Sequence, residues 1–292
     1  MRNVVVGLNF IDTYHRGGLY PLALPSGLGL EAAGVIEALG EGVEDWRVGD
    51  RVCCFGPSLG AYATARNIPA ECLFIIPDDI SYETAAAGIL KGCTTEFLVE
   101  RCAKVQPTWD ILVHAAAGGV GLMLVQWLKH VGANVIGTVS TDEKAALARA
   151  AGADHVILYG KEDVAKQVRL LTKNKGVEVV FDGVGRATWE ASLDSARRRG
   201  MIVSYGNADA PVSGVNLGVL AQKGSLYSTR PTLFDYYHHA AERAAGSEYV
   251  FDMFRQGIIN VNIGQRFRLE DAAQAHADLE GRSTTGSTVL IV

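Results

Sequence analysis

The sequence predicts an α/β protein in which a doubly wound parallel sheet follows a β-rich N-terminal region. From about residue 91, strand-like and helix-like segments alternate, which indicates βαβ units with helices on both faces of a parallel sheet. Within that series a glycine-rich stretch, HAAAGGVG (114–121), separates a strand pattern from a helix pattern. Before it, β-branched runs at 30–40 and 48–56 are broken by glycines, as in a compact all-β unit.

Each element of the alternating region is predicted from its own pattern of apolar residues. The strands are predicted at 111–116, 134–139, 155–160, 177–185 and 200–207. The helices between them are predicted at 122–132, 142–152, 162–174 and 188–198. The region after Pro231 is predicted as a helix from Leu233 to Gln256, a strand at 258–264, a helix at 269–282 and a strand at 287–292. Three consecutive arginines, Arg197 to Arg199, are expected at a solvated helix end.

Composition argues against several classes of protein. The chain has 292 residues, 48% hydrophobic and 20% charged, which suits one large or two medium globular domains. A net charge of -5 and the lack of a basic face argue against nucleic-acid binding, and no charge-free apolar run predicts a membrane span. No small-residue cleavage site follows MRNVVVGLNF, so no signal peptide is expected. Five cysteines without framework spacing favour buried, reduced thiols in a cytoplasmic protein.

The glycine-rich stretch predicts a turn that receives the pyrophosphate of a dinucleotide. In such a turn, backbone N–H groups and the positive end of the next helix face the phosphates. The motif's glycine positions fall on Ala116, Gly118 and Gly121. Gly118 would let the pyrophosphate approach the backbone, and Gly121 would let the helix pack closely on the strand. Alanine is acceptable at the first position if its φ stays negative. The alternative to a phosphate-binding turn is a turn that only packs the strand against the helix.

The end of the second strand in this unit favours NADPH over NADH. NAD-binding proteins usually carry an acidic residue there, about twenty residues past the glycines, to bind the ribose hydroxyls. This chain has Ser140 and Thr141 instead, followed by Lys144. Small hydroxyl side chains leave room for a 2′-phosphate that a lysine can neutralise, although Lys144 could instead be a solvated residue of the first helical turn. Asp142 and Glu143 count mildly against a phosphate and are expected to cap the next helix.

Longer segments spread over nearly the whole chain carry a more specific signal. They are GLNFIDTYHRGGLYP (7–21), LPSGLGLEAAGVI (24–36), GDRV (49–52), LKGCTTEFL (90–98), HAAAGGVG (114–121), FDGVG (181–185), RRGMIVSYGN (198–207), GSLYSTRP (224–231) and AHADLEGR (275–282). These segments resemble the zinc-independent quinone oxidoreductases of the medium-chain dehydrogenase/reductase superfamily, the group that includes zeta-crystallin. The resemblance implies a Rossmann domain at 93–231 inserted in a β-rich, GroES-like catalytic domain formed by 1–92 and 232–292. It also implies that cofactor and substrate lie in the cleft between these domains.

The resemblance further implies contacts to NADPH at matching positions. These are Asn9, Phe10, Ile11, Asp12, Thr13, Tyr14, Lys91, Phe97, Gly118, Gly119, Val120, Ser140, Thr141, Lys144, Tyr159, Val184, Tyr205, Gly206, Asn207, Ala208, Pro231, Thr232, Leu233 and Arg282. The run from Asn9 to Tyr14 is expected to form a loop beside the nicotinamide, and Lys91 and Phe97 to lie on the first turn entering the Rossmann domain. For two of these positions a structural role is the alternative: Val184 could be strand core, and Arg282 a helix C-terminal cation.

No metal site is expected. Zinc needs three or four ligands in a tetrahedron, drawn mainly from Cys, His and Glu. In GLE (29–31), Leu30 stands where the zinc-dependent relatives carry a ligating histidine, and the NFIDTY segment offers no cysteine. Cys93 could occupy the third ligand position, but one ligand does not make a site.

The implied activity is hydride transfer from NADPH to a quinone-type acceptor without a metal ion. A conjugated acceptor takes up hydride readily, so the protein mainly positions the reactants. Asn9, Tyr14 and Tyr20 are the candidate catalytic residues, with the tyrosines lining the acceptor or, alternatively, only packing over the cofactor. The alternative functions are an enoyl or alkenal reductase with an enone substrate, and a non-catalytic NADPH-binding protein.

Two expectations concern the ends of the domains. Members of the family normally begin earlier than VVVGLNF (4–10), so the catalytic domain is expected to lack N-terminal strands and to expose edges. Cofactor binding is then expected to survive while reductase activity is weakened. The Rossmann edge strands around MIVSYGN (201–207) and GSLYSTRP (224–231) are expected to pair across a two-fold axis in a homodimer.

Overall fold

The computed structural model describes residues 1–292. The chain forms two compact units, one of Met1–Cys93 with Tyr236–Val292 and the other of Thr94–Asp235. None of its helices combines the length and the apolar character needed to cross a membrane.

Twelve strands and ten α-helices make up the two units. The strands are β1 (Arg2–Leu8), β2 (Glu31–Val35), β3 (Arg51–Cys54), β4 (Leu73–Ile75), β5 (Asp110–Val113), β6 (Asn134–Val139), β7 (His155–Leu158), β8 (Val177–Asp182), β9 (Ala196–Ser204), β10 (Tyr227–Thr229), β11 (Ile263–Arg268) and β12 (Ser287–Ile291). The helices are α1 (Phe10–Arg16), α2 (Tyr82–Glu96), α3 (Gly119–Val131), α4 (Asp142–Ala150), α5 (Val164–Leu171), α6 (Trp189–Ser195), α7 (Gly218–Gln222), α8 (Leu233–Tyr236), α9 (Ala240–Arg255) and α10 (Ala272–Glu280).

The first unit contains a six-stranded sheet in the order β11-β12-β1-β2-β3-β4. Its first strand, β1, is antiparallel to both β12 and β2, so β1 is paired on both sides and does not form an exposed edge. The core beside this sheet includes Val6, Leu8, Ala32 and Leu290, all 2% exposed or less. Because β1 and β12 lie side by side, the two ends of the chain build the same sheet.

The second unit contains a six-stranded parallel sheet in the order β10-β9-β8-β5-β6-β7. Leu112, Ile136, Val180 and Ile202 lie on neighbouring strands and are nearly inaccessible to solvent, as expected of a parallel sheet covered on both faces. The strand order reverses between β5 and β8. In open α/β sheets, ligands bind outside the carboxyl ends of the strands at such a reversal. The predicted α/β class and the predicted alternation of strands and helices are therefore confirmed.

Two predicted elements after Pro231 are wrong in their bounds. The predicted helix from Leu233 to Gln256 is interrupted after α8, and α9 begins anew where the backbone N–H of His239 donates to the Glu242 carboxylate at 3.0 Å. The strand predicted at 258–264 is also displaced, because the amides of Ile258 and Ile259 both donate to the Met253 carbonyl and close the end of α9. The sheet pairing starts only at β11.

The three consecutive arginines do not lie at a helix end as predicted. The helix α6 ends at Ser195, and Arg197 to Arg199 belong to β9. The pairing of β9 with β8 shifts there, from Val177 opposite Ala196 to Val179 opposite Met201. The extra residues bulge out of the sheet, so the arginines are exposed to solvent as expected, but from a bulged strand.

Candidate cofactor and acceptor site

The glycine-rich turn follows β5, and its backbone conformation and surroundings leave room for an alanine at the motif's first position. The positive φ of the turn, 53°, belongs to Ala115, whereas Ala116 is not among the residues with positive φ. The amide of Ala116 donates to the Thr138 carbonyl of β6 at 3.1 Å. Its methyl group lies over Gly137 of β6, where an added Cβ would come within 2.7 Å of it. The condition set by the sequence is met, and Gly137 provides the space.

The start of α3 is open to an anion. Gly118 is the N-cap residue, no side chain caps the helix, and no acidic residue lies in its first turn. The positive end of a 13-residue helix is therefore left for a negatively charged ligand such as a pyrophosphate. A Cβ on Gly121 would lie 2.2 Å from the Ala115 carbonyl oxygen, so only glycine lets the helix approach the turn. The residues present fit a dinucleotide phosphate.

The end of β6 carries the hydroxyls expected beside a 2′-phosphate. Thr141 is the N-cap of α4, and its hydroxyl accepts a hydrogen bond from the Lys144 amide at 3.3 Å. The Glu143 carboxylate accepts hydrogen bonds from its own backbone amide and from Thr141 at this helix end, and these bonds lower its pKa. Contrary to the prediction, the Asp142 side chain does not cap the helix; it forms an ion pair with Lys161 at 3.0 Å. Lys161, which the sequence reasoning missed, thus neutralises an acid that counted against a phosphate.

The other positions predicted in this unit follow successive strands. Tyr159 follows β7 and is 44% exposed, and Val184 follows β8 and is half-buried. Residues 205–208 follow β9, and residues 231–233 come shortly after β10. Because the sheet is parallel, all of these positions lie along one edge, with the glycine-rich turn near its centre. The fold brings together residues that are more than a hundred positions apart in the sequence.

In the other unit, the segment after β1 is a short helix and not the loop that was expected. Asn9 is the N-cap residue of α1, and its backbone N–H donates to the Asp12 carboxylate at 3.0 Å. The phenol rings of Tyr14 and Tyr20 meet edge to face with their centroids 5.2 Å apart, and Phe10 lies 6.1 Å from Tyr14. Phe10 and Tyr14 on α1 and Tyr20 just beyond it therefore form one aromatic cluster.

Glu31 holds Asn9 and Lys91 together, a role that the sequence reasoning missed. The Glu31 carboxylate is fully buried in β2 and accepts hydrogen bonds from the Asn9 amide at 2.8 Å and the Lys91 ammonium at 3.2 Å. Its second oxygen accepts from the Leu90 amide at 2.7 Å. A carboxylate inside a buried apolar strand is the signal in the sequence that could have identified it, since buried acids are usually paired.

A second buried chain of hydrogen bonds starts at Asp12, whose side chain is inaccessible to solvent. The Tyr62 hydroxyl donates to the Asp12 carboxylate at 3.1 Å and lies 2.8 Å from Nε2 of His276. The Arg16 guanidinium lies 2.8 Å from Nδ1 of His276 and forms an ion pair with Glu280. Because Arg16 can only donate, His276 carries its proton on Nε2 and donates it to Tyr62.

The environment of this chain shifts several pKa values. Burial raises the pKa of Asp12 to about 7, against hydrogen bonds from Asn9 and Tyr62 and the charge of Lys91, which lower it. Burial also raises the pKa of Tyr62 and lowers the pKa of His276. Asp12 is thus a carboxyl group that changes its protonation state near neutral pH.

Two predicted contact positions, Lys91 and Phe97, lie in surroundings that differ from the expectation, whereas Arg282 lies where its structural alternative places it. Lys91 lies within α2 and not on a turn, and Phe97, 1% exposed, opens a π-helical stretch that continues α2 to Cys102. Arg282 is exposed just beyond α10 with a φ of 59°. Their contact with a cofactor stays a prediction.

The two positions compared with zinc ligands of zinc-dependent relatives, Leu30 and Cys93, are both buried. Leu30 is 2% exposed and Cys93 is inaccessible to solvent. No group of three or more His, Cys, Asp or Glu side chains is arranged to hold a metal ion. All five cysteines are free thiols; four are buried as expected, whereas Cys102 is partly exposed.

Comparison with known proteins gives a consistent result. Residues 1–105 match the family model of the alcohol dehydrogenase GroES-like domain, and residues 119–239 match that of the zinc-binding dehydrogenases. The chain is 50% identical over 294 residues to a quinone oxidoreductase of Salmonella typhimurium, covering 100% of this chain and 90% of the relative. It is 44% identical over 301 residues to a 2-haloacrylate reductase of Burkholderia sp, with the same two coverages.

A solved structure is also similar. The Escherichia coli quinone oxidoreductase complexed with NADPH matches the fold with a TM-score of 0.98 at 48% identity, covering 100% of this chain and 90% of that chain. Sequence identity at this level over the whole length, together with the two family models, establishes the family. The chain belongs to the quinone oxidoreductases of the medium-chain dehydrogenase/reductase superfamily.

Proposed function

We propose that the protein is an NADPH-dependent quinone oxidoreductase that transfers hydride to a quinone-type acceptor without a metal ion. The observation that carries this proposal is the carboxyl edge of the parallel sheet. There the open N-terminus of α3 and the hydroxyls of Ser140 and Thr141 occupy the positions that a phosphorylated dinucleotide requires. The similarity to quinone oxidoreductases, one of them solved with NADPH, supports the same activity.

NADPH supplies the hydride, and the chain's own residues bind, orient and protect it. The amides at the start of α3 hold the pyrophosphate, and Gly118 leaves the backbone open for its approach. Ser140, Thr141 and Lys144 receive the 2′-phosphate, while Lys161 keeps Asp142 from repelling it. The remaining contacts along this edge are Gly119, Val120, Tyr159, Val184, Tyr205, Gly206, Asn207, Ala208, Pro231, Thr232 and Leu233.

The residues of α1 and its flanks act on the nicotinamide and the acceptor. Glu31 and Lys91 fix the orientation of the Asn9 amide, which then aligns either the acceptor or the nicotinamide carboxamide. Tyr14 and Tyr20 line the acceptor and donate hydrogen bonds to its oxygen as negative charge develops there. Phe10, Ile11, Asp12, Thr13, Phe97 and Arg282 complete the proposed set of contacts.

The proposed reaction needs no Lewis acid. A quinone accepts hydride at a conjugated system and then takes one proton from water or a hydroxyl group, so polarisation by hydrogen bonds suffices. The donor set agrees, because Leu30 offers no ligand atom where zinc-dependent relatives have a histidine, and Cys93 alone cannot hold zinc.

Steady-state oxidation of NADPH and of NADH, each with a panel of quinones and a panel of enones, tests the function. We expect quinone-dependent oxidation with a clear preference for NADPH, unchanged after treatment with a metal chelator. Loss of activity with the chelator would refute the metal-free mechanism. Tight binding of NADPH without oxidation by either panel would refute the enzymatic function and favour a non-catalytic NADPH-binding protein.

The second candidate function is the reduction of an activated carbon–carbon double bond, as in an enoyl or alkenal reductase. It is favoured by the 44% identity to a 2-haloacrylate reductase over the whole chain. Faster turnover of the enone panel, or of a haloacrylate, than of any quinone would establish this alternative, because the fold does not fix the acceptor.

We further propose that the protein is a cytoplasmic homodimer. Its cysteine pattern suits a reducing compartment. In the parallel sheet β9 is paired on both sides, so the outermost strand on its side of the sheet is β10. Tyr227 in β10 is 61% exposed, and Leu217, beside α7, is 76% exposed. Pairing of β10 with its copy across a two-fold axis would cover these side chains. Analytical ultracentrifugation tests this, and Tyr227→Lys should shift the protein towards monomer.

A further inference from the structure

A buried polar network in the Thr94–Asp235 unit joins residues that the proposed cofactor contacts do not include. His114 follows β5 and is 1% exposed. Its Nδ1 lies 3.0 Å from the Thr138 hydroxyl of β6, and its Nε2 lies 3.1 Å from the Ser192 hydroxyl of α6. Ser192, inaccessible to solvent, donates to the carboxylate of Asp182 at 2.7 Å. The network therefore connects two adjacent strands with the end of β8.

The hydrogen bonds fix the position of every proton in this network. The single proton of Ser192 is donated to Asp182, so the Ser192 oxygen accepts from Nε2–H of His114. Nδ1 of His114 is then unprotonated and accepts from the Thr138 hydroxyl. A neutral imidazole is consistent with burial, which lowers the pKa of His114. One tautomer of one histidine satisfies all the partners.

The two ends of the network each set the shape of a turn at the carboxyl edge of the sheet. His114 is the first residue of the glycine-rich turn, and its amide donates to the Phe181 carbonyl of β8 at 3.0 Å. At the other end, the Asp182 carboxylate accepts from the amides of Val184 and Gly185 at 2.9 and 3.0 Å. The same carboxylate accepts from the Thr188 hydroxyl at 2.8 Å. The Ser192 hydroxyl is the side-chain link between the two turns.

We propose that His114, Ser192 and Asp182 are positioning residues for NADPH, which hold the glycine-rich turn and the turn after β8 at the spacing that one bound dinucleotide requires. The proposal rests on the proposed function, since it assigns NADPH to this edge. A fully satisfied buried network rigidifies its members and favours one arrangement of them. The turns are thus set before the cofactor arrives.

Ser192→Ala removes the link but not the hydrogen bonds of the backbone amides at either turn, which His114 donates to Phe181 and which Val184 and Gly185 donate to Asp182. Thr172→Val is the matched control. The Thr172 hydroxyl is also buried, donates to the Val168 carbonyl and accepts from the Gly176 amide. It lies near the start of β8, at the end of the strand away from both turns. Both variants should lose stability in urea. Only Ser192→Ala should weaken NADPH binding, by about fivefold or more in a fluorescence titration. Equal affinities in the two variants would overturn the proposal.

Two substitutions of His114 test which of its hydrogen bonds supports NADPH binding. Glutamine can place an N–H donor near the position of Nε2 and keep the bond to Ser192, whereas asparagine can replace only the acceptor at Nδ1. His114→Gln should therefore retain more NADPH affinity than His114→Asn. The reverse order would contradict the link through Ser192.

Amide hydrogen exchange in the cofactor-free protein provides a readout that does not depend on activity. In Ser192→Ala, peptides covering 114–119 and 182–188 should both exchange faster than in the wild type, and in Thr172→Val they should not. Unchanged exchange at either turn would refute the network's role. A wild-type protein that binds no NADPH would refute the proposed function instead, whatever the exchange data show.

Discussion

Replacing Asp12 with asparagine should remove a loss of stability that the wild type undergoes as the pH rises through neutrality. Burial raises the pKa of Asp12 from 3.8 to about 7, so the folded protein holds this proton more tightly than the unfolded chain does. Between those pKa values the unfolded chain has lost the proton and the folded protein has kept it. The free energy of unfolding therefore falls as the pH rises through this window, and the loss is complete above pH 7.

The magnitude follows from the size of the pKa shift. Two pKa units lie between pH 5 and the folded pKa of about 7, which corresponds to ~3 kcal/mol at about 1.4 kcal/mol per unit. Asparagine has nearly the same shape, cannot ionise, and can still accept hydrogen bonds from the Asn9 amide and the Tyr62 hydroxyl. The stability of Asp12→Asn relative to the wild type should thus rise by ~3 kcal/mol from pH 5 to pH 8.

Urea denaturation of both proteins at pH 5 and pH 8 measures this difference, and contributions from other titrating groups cancel between them. Asp79→Asn is the control, because Asp79 is exposed and a hydrogen bond from Arg255 lowers its pKa. The stability that ionised Asp79 contributes is lost only when the pH falls below the ordinary pKa of an aspartate. The change in unfolding free energy caused by Asp79→Asn should therefore be the same at pH 5 and pH 8. A stability difference for Asp12→Asn that does not change with pH would refute the assignment of the buried proton.

Three further substitutions test the dinucleotide site. Gly121→Ala should abolish NADPH binding in a fluorescence titration, since the new Cβ would meet the Ala115 carbonyl at 2.2 Å; affinity like that of the wild type would contradict the packing described for α3. Gly137→Ala should destabilise the protein by ~1–3 kcal/mol in urea, because two methyl groups would compete for one space, and Ala116→Gly in the same chain should restore most of the loss. Lys144→Ala should raise the KM for NADPH about tenfold while that for NADH changes little, and an equal effect on both would place the lysine away from the 2′-phosphate.

Much of the second unit could be predicted from local patterns. The strands β5 to β9 and the helices between them follow the spacing of apolar residues, and the glycine-rich turn follows the spacing of small residues. The tolerance of alanine at the motif's first position could be stated as a condition on φ, but its cause could not. Gly137 lies on the neighbouring strand, and nothing in the sequence links it to Ala116.

The bounds of the elements after Pro231 could not be predicted, because competing local signals decide them. A run of helix-forming residues predicts one long helix, whereas the structure starts a new one at His239 with a hydrogen bond to Glu242. The apolar residues Ile258 and Ile259 have the composition of a strand, but their amides are used to close α9.

The sequence by itself predicted the fold class and favoured NADPH, and the resemblance of its segments to known quinone oxidoreductases indicated the family. The fold class and the cofactor prediction depend on residues that are neighbours in the chain, whose periodicity and spacing are visible without a structure. Only the tertiary structure decided which polar groups share a buried environment. Glu31 meets Asn9 and Lys91, Asp12 reaches His276 through Tyr62, and His114 meets Ser192 because strands and helices distant in sequence pack side by side. Such contacts set the pKa of Asp12 and the tautomer of His114, since burial and partners, and not residue type, determine where a proton resides.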